Sequence, residues 1–300
     1  MHSVLRRLTS RHGTPVERYW NRHTVNSSSF ASPEQSETYL EWRFGQYPLF
    51  RALMDLWGEH DGETILDYGC GPGDDVTGFL LNTRARRVIG ADISQKALGL
   101  TASRLALHDI DPERYELLQL SETEPGLTLD DGSVDYVHCG GVIQHTTSPE
   151  LVLRELARVL RPGGRGRIMV YNRDSFYFHL YTAYTRRILG GDFEGLTADE
   201  AFARNTDGPK CPISRAFRPA EFCGLAGEAG FEIEFLGGYY ADIELDLWRD
   251  TGSDALADPR LPEEHQDFLS RITDGADGYP RFEGSYAGVG GVYRVVRPAG

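Results

Sequence analysis

The 300-residue chain lacks an apolar run long enough to cross a membrane, because a spanning helix needs about 20 apolar residues. Its N-terminus also lacks the apolar core and small-residue cleavage site of a secretory signal. Residues 1–22 are rich in arginine and poor in acid, as organelle transit peptides are, although a surface helix explains them more simply. We therefore expect a cytoplasmic protein with no membrane partner.

Cysteine and positive charge are also scarce. The four cysteines are widely spaced and form no CxxC pair, so neither a zinc ribbon nor a disulfide framework is supported, and we expect no metal. The formal net charge of -14 disfavours a nucleic-acid partner, because such binding depends on clustered Lys and Arg. Lysine occurs only at Lys96 and Lys210, and this preference for arginine is typical of a GC-rich bacterial coding sequence.

Two patterns divide the chain near residue 60. Before it, Ser32 and Pro33 begin a helix that should end near Gly45, and "LFRALMDLW" then restores helical spacing. From residue 61 onward, short apolar strands alternate with helices, which predicts βαβ units and a parallel sheet covered on both faces. Two insertions, at about residues 172–217 and 242–287, interrupt this α/β domain. Insertions of that length are usually functional, and we expect these two to cover the substrate.

The stretch "ILDYGCGPGDD", residues 65–75, combines a glycine turn with acidic residues. The glycines stand at alternate positions, Gly69, Gly71 and Gly73. Such a turn after the first strand lets the backbone approach a ligand at the carboxyl edge of the sheet. Its spacing fits neither the dinucleotide fingerprint nor a phosphate-binding P-loop. Asp74 and Asp75 would occupy the helix turn that binds a pyrophosphate, and with Asp67 they favour a ligand that is cationic there.

Asp92 follows the second predicted strand, where an acid accepts hydrogen bonds from a ribose diol. The expected ligand therefore carries a ribose but no diphosphate, and an amino-acid sulfonium meets both conditions. Together these motifs resemble the class I S-adenosylmethionine-dependent methyltransferases. The segment "LDDGSVDYVHCGGVIQHTTSPELVLRELARVLRPGGRGRIMV" is similar to the ubiquinone-methyltransferase-like branch of that family. The resemblance covers residues 61–171 and, more weakly, the last two strands.

The resemblance implies a Rossmann-like, seven-stranded, mostly parallel sheet, with S-adenosylmethionine as cofactor and S-adenosylhomocysteine as product. Carried over residue by residue, it places Asp67, Gly69, Gly71 and Gly73 at the methionine part, Asp92 at the ribose and Ile93 at the adenine, with Cys70 and Gly140 also at the cofactor. The family often has Gly-Asp-Ala after its third strand, whereas this chain reads "LSETEPG". Either Glu122 or a backbone group near Thr123 would replace that acid.

Extra N-terminal segments often act as lids in this family, so residues 1–60 are expected to cover the site. Tyr39 and Arg43 are four residues apart and share one helix face. We expect both at the cofactor, with Arg43 paired to the cofactor carboxylate, unless Arg43 is only a solvated helix charge.

The methyl acceptor needs a base only if its attacking atom carries a proton at the working pH. His145, in the loop after the fourth strand, either provides that base or only orients the loop, whereas His138 inside the strand is expected in the core. Tyr171 and His179 are further catalytic candidates beside the first insertion. An aromatic helix face in that insertion either lines an acceptor pocket or packs as core. Its members are Tyr177, Tyr181 and Tyr184.

We expect this chain to transfer a methyl group from S-adenosylmethionine to an oxygen or nitrogen of a small molecule, in bacterial specialised metabolism. Methylation of carbon in an aromatic or quinone-like acceptor stays open. So does a cofactor-binding protein that does not methylate, such as a cyclase or a regulatory module. The acidic second insertion either attracts an amine acceptor or is a solvated surface. Nothing in the sequence indicates the acceptor's identity or the oligomeric state.

Overall fold

The computed structural model describes residues 13–25, 27–124 and 126–300. Residues 1–12, which begin both the arginine-rich segment and the expected N-terminal lid, lie outside the described residues, as do residues 26 and 125. Within the described ranges, no helix is both long and apolar enough to cross a lipid bilayer.

The described part of the N-terminal segment is helical, as predicted. It forms α1 (Pro15–Arg22), α2 (Pro33–Gly45) and the one-turn α3 (Phe50–Leu53). The start of α2 is confirmed, because Pro33 is its first residue and the Ser32 hydroxyl accepts a hydrogen bond from the backbone of Gln35. The long helix expected over "LFRALMDLW" is wrong. Asp55 and Trp57 have left-handed backbone angles, φ 53 and 64, which end the helix after one turn.

The rest of the described chain alternates strands with helices. The strands are β1 (Thr64–Tyr68), β2 (Arg87–Asp92), β3 (Tyr115–Gln119), β4 (Val134–Gly140), β5 (Leu160–Tyr171), β6 (Glu232–Tyr239), β7 (Ile272–Asp274), β8 (Pro280–Phe282), β9 (Ser285–Tyr286) and β10 (Gly290–Val296). The helices are α4 (Asp74–Asn82), α5 (Gln95–Leu107), α6 (Pro149–Val159), α7 (Ala198–Thr206), α8 (Pro219–Glu228), α9 (Glu244–Ala257), α10 (Glu263–Ser270) and a π-helix (Tyr177–Leu189).

Seven of these strands form one sheet in the described chain, in the order β3-β2-β1-β4-β5-β10-β6. Only β10 runs against its neighbours, β5 and β6, so the mostly parallel Rossmann-like sheet is confirmed. Consecutive residues face opposite sides of it. Ile65 and Tyr136 pack with α2 to α5, whereas Leu66 and Val137 pack with α6 and α8, and all four are fully buried.

The strand order reverses at β1, because β2 and β3 lie on one side of it and β4 and β5 on the other. In open α/β sheets such a reversal opens a crevice at the carboxyl ends of the strands. Two segments border this crevice, the glycine turn after β1 and the loop after β4 that contains a 3-10 helix, Ile143–His145. The fold therefore brings together the two motifs that the sequence singled out.

The two insertions pack against each other beside the sheet. The first contains the π-helix and α7, and the second contains α9, α10 and the small sheet β7-β8-β9. Phe176, before the π-helix, stacks on Trp248 of α9 at 5.0 Å and meets Phe268 of α10 edge-on. The second insertion therefore buries apolar surface of the first.

Glu244 connects both insertions to the sheet. It is fully buried, and its carboxylate accepts backbone N–H bonds from Tyr177 (2.8 Å), Ala241 (2.6 Å) and Val289 (3.2 Å). Burial raises the pKa of this carboxyl group, whereas the three amide donors oppose that shift by favouring its charged form. These amides belong to the π-helix, the start of the second insertion and the segment before β10, so one side chain anchors three segments.

We predict that Glu244→Gln lowers the free energy of unfolding by about 1–3 kcal/mol, because an amide nitrogen cannot accept a backbone N–H. Urea unfolding followed by circular dichroism would measure the loss. Glu228→Gln, at an exposed position of α8, is the control and should change stability by less than about 0.5 kcal/mol. Equal stabilities of the two variants would contradict the anchoring role.

His179 and His265 form a second connection between the insertions. Their Nδ1 atoms are 2.8 Å apart, and the His179 ring stacks on Phe268 at 4.1 Å. Both rings are buried. Burial, reinforced by Arg187 and Arg173, lowers the pKa of His265 to about 4, and burial also lowers the pKa of His179. The pair is therefore neutral in the folded protein, with one ring donating to the other.

Acid should weaken this connection. The His265 pKa is about 4 in the fold and about 6.5 in the unfolded chain, so between these values the unfolded chain binds more protons. This contribution to stability is complete above pH 6.5 and is lost as the pH falls toward 4. We predict that the wild type loses about 2 kcal/mol more than His265→Gln between pH 7 and pH 5, measured by urea unfolding. If the unfolding free energies of the wild type and His265→Gln changed equally with pH, this prediction would be wrong.

Candidate active site

A cavity of about 900 Å³ occupies the crevice at the carboxyl ends of the strands. Most of the expected cofactor residues line it, namely Gly69, Cys70, Gly71, Asp92, Ile93, Glu122, Gly140 and Arg43. Three do not belong to its described lining. Asp67 of β1 and Gly73, the last glycine of the turn, are buried. Tyr39 lies against Phe30 and Trp42 instead, so it is not placed at the cofactor as expected.

The glycine turn exposes backbone to the cavity at Gly71. Its φ of +53 is a left-handed value, and a β-carbon built there would meet no atom within 4 Å. At Gly69, which is also left-handed, a β-carbon would instead lie 2.0 Å from the Val142 side chain. Gly69 is thus required by packing, whereas Gly71 leaves room for a ligand to approach the main chain.

Asp92 is fixed beside this turn. Its carboxylate accepts hydrogen bonds from the backbone of Gly71 (2.8 Å) and of Ser94 (2.7 Å), one at each oxygen. Burial raises the pKa of Asp92, and these backbone donors act in the opposite direction. Each carboxylate oxygen accepts one protein hydrogen bond and keeps a lone pair for a ligand hydroxyl group.

The acids after the glycines are neutralised by arginines. Asp74 pairs with Arg104 of α5 and with Arg43 of α2, whose Nε is 3.3 Å away. Asp75 accepts from Arg43 at 3.1 Å and lies 3.3 Å from His138, and burial opposed by these partners leaves the pKa of Asp75 well below its usual range. Two expectations are therefore corrected. Asp74 and Asp75 are not free charges that repel a phosphate, and Arg43 is bound to them rather than reserved for a ligand carboxylate.

Asp67 lies below this ion-pair cluster, opposite His138 in the register of β1 and β4. It is buried, and its Oδ2 atom finds no hydrogen-bond partner among the described residues. Burial raises its pKa to about 7, while His138 acts in the opposite direction. Asp67 thus belongs to the buried charged groups around His138, Asp75 and Arg43, and it does not line the cavity.

The expected adenine acid, Glu122, lines the cavity after β3. One of its carboxylate oxygens accepts from the backbone and hydroxyl of Thr147, at 2.8 and 2.5 Å. Its backbone N–H donates to Glu17 of α1 at 3.1 Å. The side chain is therefore held at the edge of the cavity with one carboxylate oxygen already occupied.

His145 and Tyr171 also line the cavity. The Nδ1 of His145 is 2.8 Å from the carbonyl oxygen of Ile213, so this nitrogen carries a hydrogen, because a carbonyl only accepts. The Nε2 atom is 3.7 Å from Asp207 Oδ1. Burial lowers the pKa of His145. Both ring nitrogens therefore have neighbours, which leaves neither in the free position expected of a simple base.

Tyr171 is a hydrogen-bond donor in the cavity lining. Its hydroxyl donates to Asp207 Oδ1 at 3.1 Å, and Ser214 donates to the other carboxylate oxygen at 2.8 Å. Burial, followed by the Asp207 charge, raises the pKa of Tyr171 well above its usual value. The phenol stays protonated and orients the carboxylate.

The remaining candidates in the first insertion lie elsewhere. His179 is buried against His265, and the described cavity lining includes none of Tyr177, Tyr181 and Tyr184. The expectation assumed α-helical spacing, but this segment is a π-helix with looser i→i+5 bonding. Tyr177 and Tyr181 pack together at 5.0 Å near Phe202, and Tyr184 enters the core shared with the second insertion. We do not retain these four as site residues.

Several lining residues were not anticipated. Trp20 of α1 meets His145 edge-on at 4.9 Å, and Tyr19 donates its hydroxyl to the carbonyl of Asp207. Tyr47 and Tyr239 complete an aromatic wall. Two adjacent aromatic residues, "YW", in a mostly polar helix could have indicated that Tyr19 and Trp20 face a binding site. Nothing local distinguishes Asp207, which acquires its neighbours only through the fold.

Comparisons with known proteins identify the family of the chain. The family described as "Methyltransferase domain" matches residues 66–168. An uncharacterized 37.1 kDa protein in a Streptomyces fradiae transposon is 31% identical over 66% of this chain and 60% of its own length, so the chain spans less than two thirds of it. The ubiquinone biosynthesis O-methyltransferase of Dechloromonas aromatica is 30% identical over 59% of this chain and 68% of its own length. The chain belongs to the class I S-adenosylmethionine-dependent methyltransferases.

The fold of this methyltransferase also occurs in a solved structure of Haemonchus contortus phosphoethanolamine N-methyltransferase 2. The TM-score is 0.53 at 18% identity, over 94% of this chain and 60% of that one. S-adenosylmethionine is the cofactor of the family, and the cavity fits it. Gly71 leaves space beside the main chain, and Asp92 keeps lone pairs for a ribose.

We predict that Gly71→Ala weakens binding of S-adenosylhomocysteine at least about tenfold, because its methyl group would enter the space that the cofactor needs. Isothermal titration calorimetry would measure the dissociation constant. Gly99→Ala, on the exposed face of α5 with nothing near its β-carbon, is the matched control and should leave affinity unchanged. Equal affinities for both variants would show that the ligand lies away from Gly71.

Proposed function

We propose that this methyltransferase transfers a methyl group from S-adenosylmethionine to an oxygen or nitrogen atom of a small molecule. The observation that carries the proposal is that one cavity contains both the glycine turn with Asp92 and an aromatic wall with His145 and Tyr171. Cofactor and acceptor can therefore meet without a domain movement. Holding the acceptor close to the methyl group in line with the breaking bond is the main requirement of such a transfer.

The cofactor would occupy the end of the cavity at the strand termini. In this arrangement Gly69, Cys70 and Gly71 lie along its methionine part, Asp92 accepts from its ribose hydroxyls, and Ile93 lies against its adenine. Glu122 offers its remaining carboxylate oxygen near the adenine edge. The bound cofactor would supply an electrophilic methyl group on a sulfonium.

The acceptor would occupy the aromatic end. Trp20, Tyr47 and Tyr239 offer flat apolar surfaces there, which suit an aromatic ring. The polar groups beside them, His145 and Tyr171, are the ones that we propose to meet the reacting oxygen or nitrogen. Residues 13–60, which contribute α1 and Tyr47 to this wall, act in our proposal as the lid, and the second insertion supports the first instead of covering the acceptor.

The names of relatives favour an aromatic acceptor. They include ubiquinone biosynthesis O-methyltransferases and a 2-phytyl-1,4-beta-naphthoquinone methyltransferase from Arabidopsis thaliana, 29% identical over 66% of this chain. Oxygen of a phenol or hydroquinone is therefore our first candidate, and carbon of a quinone-like ring is the second. We also propose a bacterial source and a role in specialised metabolism, and the Streptomyces fradiae relative agrees with the bacterial source only.

The test is methyl transfer from methyl-labelled S-adenosylmethionine to a panel of phenols, hydroquinones, quinones and aryl amines. We expect labelled product and an equal amount of S-adenosylhomocysteine with phenols or hydroquinones. Mass spectrometry distinguishes oxygen, nitrogen and carbon methylation. Binding of S-adenosylhomocysteine without transfer to any class would instead favour a cofactor-binding protein that does not methylate.

The same assay, combined with a measurement of S-adenosylhomocysteine affinity, distinguishes acceptor contacts from cofactor contacts. Trp20→Ala should raise the acceptor KM about tenfold, through lost ring contact, and leave the affinity for S-adenosylhomocysteine within about twofold. Trp42→Ala is the matched control, because Trp42 is 56% exposed on α2. A change in cofactor affinity alone would place the acceptor elsewhere.

A further inference from the structure

Three side chains with metal-binding atoms converge in the wall of the cavity. They are His145 after β4, Asp207 after α7, and Cys211 four residues further on. Their ligand atoms all lie within 4.8 Å of one another, and the Nε2 to Oδ1 distance between the first two is 3.7 Å. The proposed methyl transfer gives Cys211 no role, so the cluster needs its own explanation.

The histidine is oriented as a metal ligand would be. Its Nδ1–H donates to the Ile213 carbonyl, which fixes the ring and directs Nε2 toward Asp207. Histidines that bind metal commonly donate their other ring N–H to a carbonyl in this way. Without a cation between them, an Nε2 lone pair and a carboxylate oxygen would face each other unfavourably.

The carboxylate and the thiol are also held in place. Tyr171 and Ser214 donate to the two oxygens of Asp207, which orients the carboxylate and leaves each oxygen another lone pair. The Cys211 Sγ is 3.2 Å from the same Ile213 carbonyl that receives the histidine N–H. In the metal-free protein one backbone carbonyl therefore positions two of the three groups, and the thiol gives up this hydrogen bond when it binds a metal.

We propose that His145 Nε2, Asp207 Oδ1 and Cys211 Sγ form a zinc site in the wall of the cavity. Nitrogen, oxygen and sulfur donors together suit Zn²⁺ better than Mg²⁺ or Ca²⁺, which prefer oxygen. Binding converts the thiol to a thiolate and releases its proton to solvent, with no change of oxidation state. Three protein ligands leave one position of a tetrahedral zinc open.

The open position has a place in the proposed reaction. His145 and Asp207 both line the cavity, so a zinc ion between them is accessible to an acceptor oxygen. Zinc lowers the pKa of an oxygen that binds to it, which would prepare a hydroxyl group for methylation. The acceptor would lose its proton to solvent, and an O–CH₃ bond would form as the S–CH₃ bond breaks. This role rests on the proposed function, whereas zinc binding itself does not.

Zinc binding is tested with the full chain and zinc alone, without cofactor or acceptor. Competition against a chromogenic chelator should give one zinc per chain. Cys211→Ser and Asp207→Asn should each weaken binding at least about 100-fold, since they remove direct ligands. Cys223→Ser, a half-buried thiol on α8, is the matched control and should bind like the wild type. Circular dichroism would verify that each variant is folded.

Cobalt offers a second readout. Co²⁺ in this site should show thiolate-to-metal absorption, which Cys211→Ser abolishes and Cys223→Ser retains. Less than about 0.1 zinc per chain, or equal affinity of Cys211→Ser and the wild type, would overturn the proposal. Methyl transfer without zinc binding would contradict only the proposed zinc site. Zinc binding without methyl transfer would contradict only the proposed methyltransferase function.

Discussion

The buried ion pairs around Asp74 and Asp75 are the constraint on which the cofactor cavity depends. Two carboxylates in the first turn of α4 are removed from water, and such charges are tolerated only when paired. Arg43 comes from α2 and Arg104 from α5, so the pairing joins the N-terminal segment to the sheet. The glycine turn directly precedes these acids, and its geometry is therefore supported by residues far away in sequence.

Local patterns were sufficient for most of the sheet. The limits of β4 match the apolar run "VDYVHCG", because buried strands and their turns are specified by short-range periodicity. Gly69, Gly71 and Asp92 were also predicted at the cavity from their place after β1 and β2, and they line it, whereas Gly73 does not. Local patterns were misleading where residues distant in sequence determine the charge of a site. The charges of Asp74 and Asp75 suggested a repulsive surface, since nothing nearby in sequence announces that Arg43 and Arg104 pack against them.

The acceptor end was less predictable for a related reason. Its wall joins α1, the loop after β4 and the residues around Asp207, which are separated by more than a hundred positions in places. The π-helix added a second difficulty, because i→i+5 bonding changes which aromatic residues share a face. His179 and Tyr184 therefore joined the interface between insertions. Sequence reasoning identified the insertion as relevant to the site but not the residues that reach the cavity.

Helix α1 lies across both ends of the cavity at once. Glu17 accepts from Ser121 and from the backbone of Glu122 beside the adenine edge, while Trp20, almost one turn later, meets His145 at the acceptor end. A displacement of α1 would therefore change the contacts of Glu122 and of His145 at the same time. Under the proposed function, α1 couples the two ligands, so that binding of one changes the affinity for the other.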